Sequence, residues 1–100
     1  MTTVYLEHDG GTFAIHARGH ATGSTEVCAA ISCLMYTVAG WLRNRPEIGG
    51  IHRLEDGDAS IVFFDREAAA RTAFELAQIG FLQLASTYPD YIRVECAEKK

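Results

Sequence analysis

Two residue types able to do covalent chemistry stand close together in the segment RGHATGSTEVCAAIS, where Gly19-His20 is followed by Cys28 after a short polar stretch. A thiol attacks only as thiolate, and free cysteine titrates near a pKa of about 8.5. The first turn of a helix favours negative charge, because unpaired N–H groups and the macrodipole converge there. The small apolar residues after Cys28 predict that helix, with the cysteine in its first turn. A histidine within reach then serves as general base and afterwards as general acid. The competing reading is a small core cysteine beside a polar strand end, and on spacing alone it is the commoner of the two.

The elements that must position these residues are legible in the pattern of apolar and turn residues. TVYLEHDGGTFAIHARGH reads as a β-hairpin, with Asp9-Gly10-Gly11 at its turn and Phe13, Ile15 and Ala17 on one face. Ala14, His16, Arg18 and His20 lie on the other face, and the strand runs out at Gly19-His20. Ser24 or Thr25 can cap the helix that follows to Arg43, Glu26 suits its first turn, and Pro46 stops it. Val27, Ile31, Leu34, Val38 and Leu42 mark its apolar face, which Met35, Trp41 and the alanines widen round most of the circumference. Such a helix is covered on two sides, by a sheet and by a second helix or a second subunit.

GGIHRLEDGDASIVFFD predicts a second hairpin turning at Asp56-Gly57-Asp58. Asp65 is expected to cap a second helix, roughly 66 to 87, with Ala69, Ala73, Leu76, Ala77, Phe81 and Leu84 buried. Pro89 marks its end, and YIRVECA closes the chain as a fifth strand. The order ββαββαβ defines an α+β sandwich, a mostly antiparallel sheet packed with two helices.

One hundred residues, 48% hydrophobic and 22% charged, suit one globular domain over 1–100. A net charge of −4 with scattered basic residues argues against nucleic acid as a partner. No basic region followed by an apolar core opens the chain, so no secretion signal is read. The longest charge-free run, Val27 to Leu42, falls short of the ~20 residues of a membrane span. Three cysteines, an odd number, then point to reduced thiols in the cytoplasm.

Other reactive residue types are given ordinary roles. His16 and His20 would lie ~13 Å apart on a strand, too far to share a metal ion. Cys28 and Cys33 point about 140° apart on a helix and form no redox pair, so Cys33 is expected to pack and Cys96 to be inert. His8 and His52 are expected in solvent near hairpin ends. Trp41, Phe74, Phe81 and Tyr36 are assigned to core or dimer contacts. The acidic Glu55, Asp56 and Asp58 bracket a turn and are assigned to turn chemistry. Gly10-Gly11 and Gly49-Gly50 match no phosphate loop.

The glycine–histidine–alanine of positions 19–21 and the VCAAISCL that begins at Val27 resemble the signature of the Prp family of bacterial ribosomal-processing cysteine proteases. The first hairpin, the apolar helix and the late YPDYIRVE follow that family's layout, so the likeness spans nearly the whole chain. The resemblance implies a Cys28 nucleophile, a His20 base, a Gly19 that lets the backbone pass close to the site, and a Ser32 supporting the nucleophile from one turn on. It also implies a cytoplasmic homodimer that removes the N-terminal extension of a large-subunit ribosomal protein without metal or cofactor. Two departures stand out. The loop between His20 and Cys28 is several residues shorter than in typical members, and the acidic residue usually three before the cysteine is Thr25, with Glu26 next to it; the expected consequence is either a slower reaction or a shift of the role to Glu26. A non-catalytic homodimeric relative that binds a ribosomal or other basic protein is therefore the alternative expectation.

Overall fold

The computed structural model describes residues 1–19 and 24–99. Strands β1 (Thr2–Asp9) and β2 (Thr12–Arg18) form the first hairpin, and β3 (Gly50–Glu55) and β4 (Asp58–Phe64) form the second. Helix α1 (Thr25–Arg43) lies between the hairpins, and α2 (Ala68–Thr87) leads to β5 (Ile92–Lys99). The expected ββαββαβ order and α+β class are what the chain adopts.

Both hairpins close through two residues. Asp9 pairs with Thr12 across Gly10-Gly11, and Glu55 with Asp58 across Asp56-Gly57. In the second turn Gly57 has φ +75° while Asp56 keeps a negative φ. That is the sign pattern of a type II turn, which demands glycine at its second central position and little at its first.

The sheet order is β3-β4-β2-β1-β5, antiparallel throughout except for the β1–β5 pair. These pairings make β3 parallel to β2 and β5 parallel to β4. Both β2-α1-β3 and β4-α2-β5 are thus crossovers between parallel strands, each of which needs a helix-length connection. Both helices cover the same face of the sheet. Burial alternates to match: Val4 sits opposite Ala17, Leu6 opposite Ile15, and Ile15 opposite Ile61, all inward. Their neighbours Tyr5, His16 and Ser60 form a row on the opposite face.

From α1, Val27, Ile31, Met35, Val38, Ala39 and Leu42 enter the core. The helix is apolar and long enough to cross a membrane by length and composition alone, but this face is committed to the sheet. Its second side meets α2, where Leu34 packs so closely on Gly80 that a Cβ there would come within 2.8 Å of Leu34 Cδ2. The expected double cover of α1 is therefore supplied by the second helix.

Helix α2 corrects the sequence reading at both its start and its face. Glu67, not Asp65, occupies the N-cap place, and no side chain caps the helix. The buried residues are Ala70, Phe74, Ala77 and Phe81, while Leu76 is 64% exposed. Alanines and aliphatics surround this helix, so hydrophobicity alone does not select one stripe, and the aromatic pair Phe74 and Phe81 does.

Asp65 is drawn instead to His8, which is buried rather than solvated. The His8 ring stacks on Phe13 with centroids 4.4 Å apart. Its Nε2 lies 3.1 Å from Asp65 Oδ2 and its Nδ1 3.2 Å from Glu98 Oε1. A buried imidazole must find such partners, and the pairing of β1 with β2 and β5 brings them. Cys33 is exposed rather than packed, and Cys96 is exposed with Gln78 Nε2 donating to its Sγ at 3.4 Å.

Candidate active site

Strand directions decide where the reactive residues gather. The end of β2, the start of β1, the β3–β4 turn and the N-terminus of α1 all fall at one end of the sheet. A cleft of about 200 Å³ opens among them, its walls including Thr2, Gly19, Cys28, Ser32, Asp56 and Asp58.

The helix starts where its capping chemistry requires. Ser24 is the N-cap, and its Oγ accepts the Val27 N–H at 3.2 Å, a bond of a kind that stabilises a helix by about 1 kcal/mol. The Cys28 N–H is donated to the Ser24 carbonyl at 3.3 Å. Cys28 therefore stands in the opening stretch of α1 with its thiol half-buried on the cleft wall. None of the three cysteines is disulfide-bonded. Thr25 and Glu26 keep first-turn N–H groups with no acceptor among the described residues.

Gly19, on the cleft wall, has a backbone that excludes any side chain for two reasons. Its φ is +91°, and a Cβ would sit 2.6 Å from the Met1 carbonyl oxygen. Its N–H donates to Gly57 O at 2.9 Å, and Thr2 Oγ1 donates to its carbonyl at 3.3 Å. Gly19→Ala is expected to lower stability by about 1–3 kcal/mol. At about 4–8 °C per kcal/mol for a domain of this size, a thermal melt shows the loss directly; an unchanged midpoint would mean this backbone contact is not under strain.

The structure brings Gly19, Cys28 and Ser32 to one cleft, with Ser32 one helical turn beyond the thiol. His20 lies outside the described residues. Glu26 is exposed in the first turn of α1 and is not among the residues lining the cleft. His16 projects from the opposite face of the sheet, opposite Tyr5 and Ser60. Among the described residues, no group of three His, Cys, Asp or Glu side chains gathers as a metal site.

What the sequence reading missed is the β3–β4 hairpin. Leu54, Glu55, Asp56, Gly57, Asp58 and Ala59 form a whole wall of the cleft. No local signal marks them as site residues, because their place depends on β4 pairing with β2.

A thiol at the mouth of a helix, facing a surface cleft, is the arrangement around which cysteine proteases are built. The family model for the cysteine protease Prp matches residues 1–93, and the chain belongs to that family. Its fold is similar to that of the essential ribosomal processing protease Prp from S. aureus, solved with a covalently linked product peptide. The TM-score is 0.82 at 18% identity, over 96% of this chain and 99% of that one. The same S. aureus protease with a substrate peptide gives 0.81 at 17% identity, over 96% and 99% of the two chains. SMU.848 from Streptococcus mutans gives 0.79 at 18% identity, over 99% of both chains. No curated protein sequence matches the chain.

Proposed function

We propose that this protein is a cytoplasmic cysteine endopeptidase that removes the N-terminal extension of a large-subunit ribosomal protein. The observation that carries the reading is Cys28, half-buried on the wall of an open cleft at the start of α1. His20 takes the thiol proton as Cys28 Sγ attacks the scissile carbonyl, and returns it to the leaving amine. The resulting thioester is hydrolysed by a water that His20 deprotonates. Negative charge on the sulfur and on the attacked oxygen develops at the positive end of α1. The first-turn N–H groups of Thr25 and Glu26 are the donors available to that oxygen. Ser32, one turn on, supports the sulfur from the same side. The chemistry asks for no metal or cofactor.

Bound peptides in two structures of the S. aureus protease support a peptide substrate here. The exposed Leu76, Ile79 and Leu82 on α2 support assembly as a homodimer. The acidic turn residues on the cleft wall favour a second reading, a non-catalytic homodimer that holds a basic ribosomal or other protein partner.

Thiol reactivity separates the two readings. Cys33 and Cys96 are exposed while Cys28 is half-buried, so exposure alone ranks Cys28 slowest toward iodoacetamide. In an enzyme Cys28 reacts at least about 10-fold faster than either near pH 7, as followed by mass spectrometry of the three sites. The same preparation is then offered a peptide spanning the ribosomal-protein extension, with cleavage as the expected product pattern. Slow alkylation of Cys28 together with an intact peptide would leave the binding reading in place.

A further inference from the structure

We propose that the free edge of β3 takes up the substrate peptide as a sixth strand of the sheet and leads it to Cys28. This names the recognition mode for the reaction proposed above and rests on that reading.

Strand β3 ends the sheet order and, among the described residues, pairs with β4 alone. In an antiparallel pair the main-chain groups of successive residues point alternately toward the partner and away from it. Gly50 stands opposite Phe63, and the Phe64 N–H donates to Gly49 O at 3.3 Å. Gly50 therefore lies between ladder bonds. Ile51 and Arg53 bond to β4, whereas His52 and Leu54 turn their N–H and C=O groups to the open edge. Among the described residues those edge groups have no hydrogen-bond partner.

Edge strands that must stay unpaired are usually shielded by proline, a bulge or charge. The opposite edge, β5, carries Arg93, Glu95 and Glu98. β3 holds no proline, and its pairing with β4 runs without a bulge from Gly50 to Glu55. Its charges are engaged within the hairpin, Arg53 Nη2 at 2.7 Å from Asp58 Oδ2 and its Nε at 3.9 Å from Glu55 Oε2. Ile51 is 78% exposed beside the edge, where an added strand would bring a side chain to about 4.5–5.5 Å from its Cβ.

The occupant follows from where the edge leads. Leu54 and Glu55 belong to the wall of the cleft that Cys28 and Ser32 also line, so a chain paired with β3 continues into the site. That continuity selects an extended peptide over a second copy of the protein. In such a mode main-chain bonds supply affinity and every second side chain supplies specificity.

The test uses the full chain and peptides spanning the ribosomal-protein extension. In Cys28→Ala with saturating peptide, the His52 and Leu54 amides are expected to exchange with deuterium at least about 10-fold more slowly. Those of Ile51 and Arg53, already bonded to β4, should change little. With wild type, backbone N-methylation at alternate peptide residues before the cut is expected to raise KM at least about 10-fold, and methylation between them to leave it within about 2-fold. His52→Pro removes one edge donor at a place where a strand tolerates proline, and should raise KM with the Cys28 alkylation rate unchanged. Cleavage with unaltered edge exchange and no alternation among the methylated peptides would overturn the proposal and leave the peptidase reading standing. Edge protection by a peptide that the wild type does not cleave would uphold it and remove only the peptidase reading. Failure of every peptide to protect the edge would overturn it. So would slow exchange of His52 and Leu54 without peptide that varies with protein concentration, which would give the edge to a second copy.

Discussion

Cys28→Ala is expected to reduce peptide cleavage by about 10³-fold or more while the protein stays folded. A cysteine protease without its sulfur has no atom to form the acyl intermediate, and loss of a nucleophile commonly removes nearly all of the rate above background. The structural cost is small, because Cys28 is only half-buried and its backbone N–H keeps its bond to Ser24 O. The Ser24 cap acts through Val27 and is untouched. Cleavage followed by chromatography, with circular dichroism as the control for folding, reads both parts. A variant keeping a tenth of the wild-type rate would show that the reaction runs through some other group. Neither Cys33 nor Cys96 lines the cleft, so neither is placed to substitute.

The largest expected effect on stability lies at the other end of the strands. Phe13→Ala is expected to destabilise the fold by about 3–5 kcal/mol. Phe13 is fully buried. Its ring lies 4.7 Å from Phe74 of α2, 5.3 Å from Phe63 of β4 and 4.4 Å from His8 of β1, so one side chain joins three elements to its own strand. Aromatic pairs add about 0.5–1.5 kcal/mol each beyond the area they bury. Domains are stable by about 5–15 kcal/mol in total, so this loss is a large share. Urea denaturation should show a much lower midpoint at a similar slope. Below its melting range the variant should still alkylate Cys28 at the wild-type rate, since Phe13 is remote from the cleft. A change of less than about 1 kcal/mol would mean that the three rings do not act as one packing unit.

Legibility in the sequence followed the range of the interaction concerned. Glycines at the two hairpin turns, the serine at the mouth of α1 and the prolines beyond the helices each act within a few residues, and the turns, the start of α1 and the helix ends formed where those residues placed them, whereas the start of α2, which has no side-chain cap, did not. The pairing of Cys28 with a helix start was readable for the same reason, whereas the backbone role of Gly19 came only with the family resemblance, because the groups it meets, Met1, Thr2 and Gly57, are distant in sequence. The face of α2 was not, because its alanines make several stripes equally apolar and only contact with Phe13 and Leu34 selects one. His8 passed for a surface residue because the carboxylates that hold it, Asp65 and Glu98, are distant in sequence. Cys33 passed for a core residue because its apolar neighbours in α1 surround the helix.

Local chemistry, then, was enough to determine the order of the strands and helices among the described residues, the two hairpin turns and the helix mouth that carries the thiol. The tertiary structure alone decided which residues face that thiol. Inserting β4 beside β2 sets an acidic hairpin tip against the end of the first hairpin, and strand order of this kind depends on packing summed over the whole sheet rather than on any short stretch of chain.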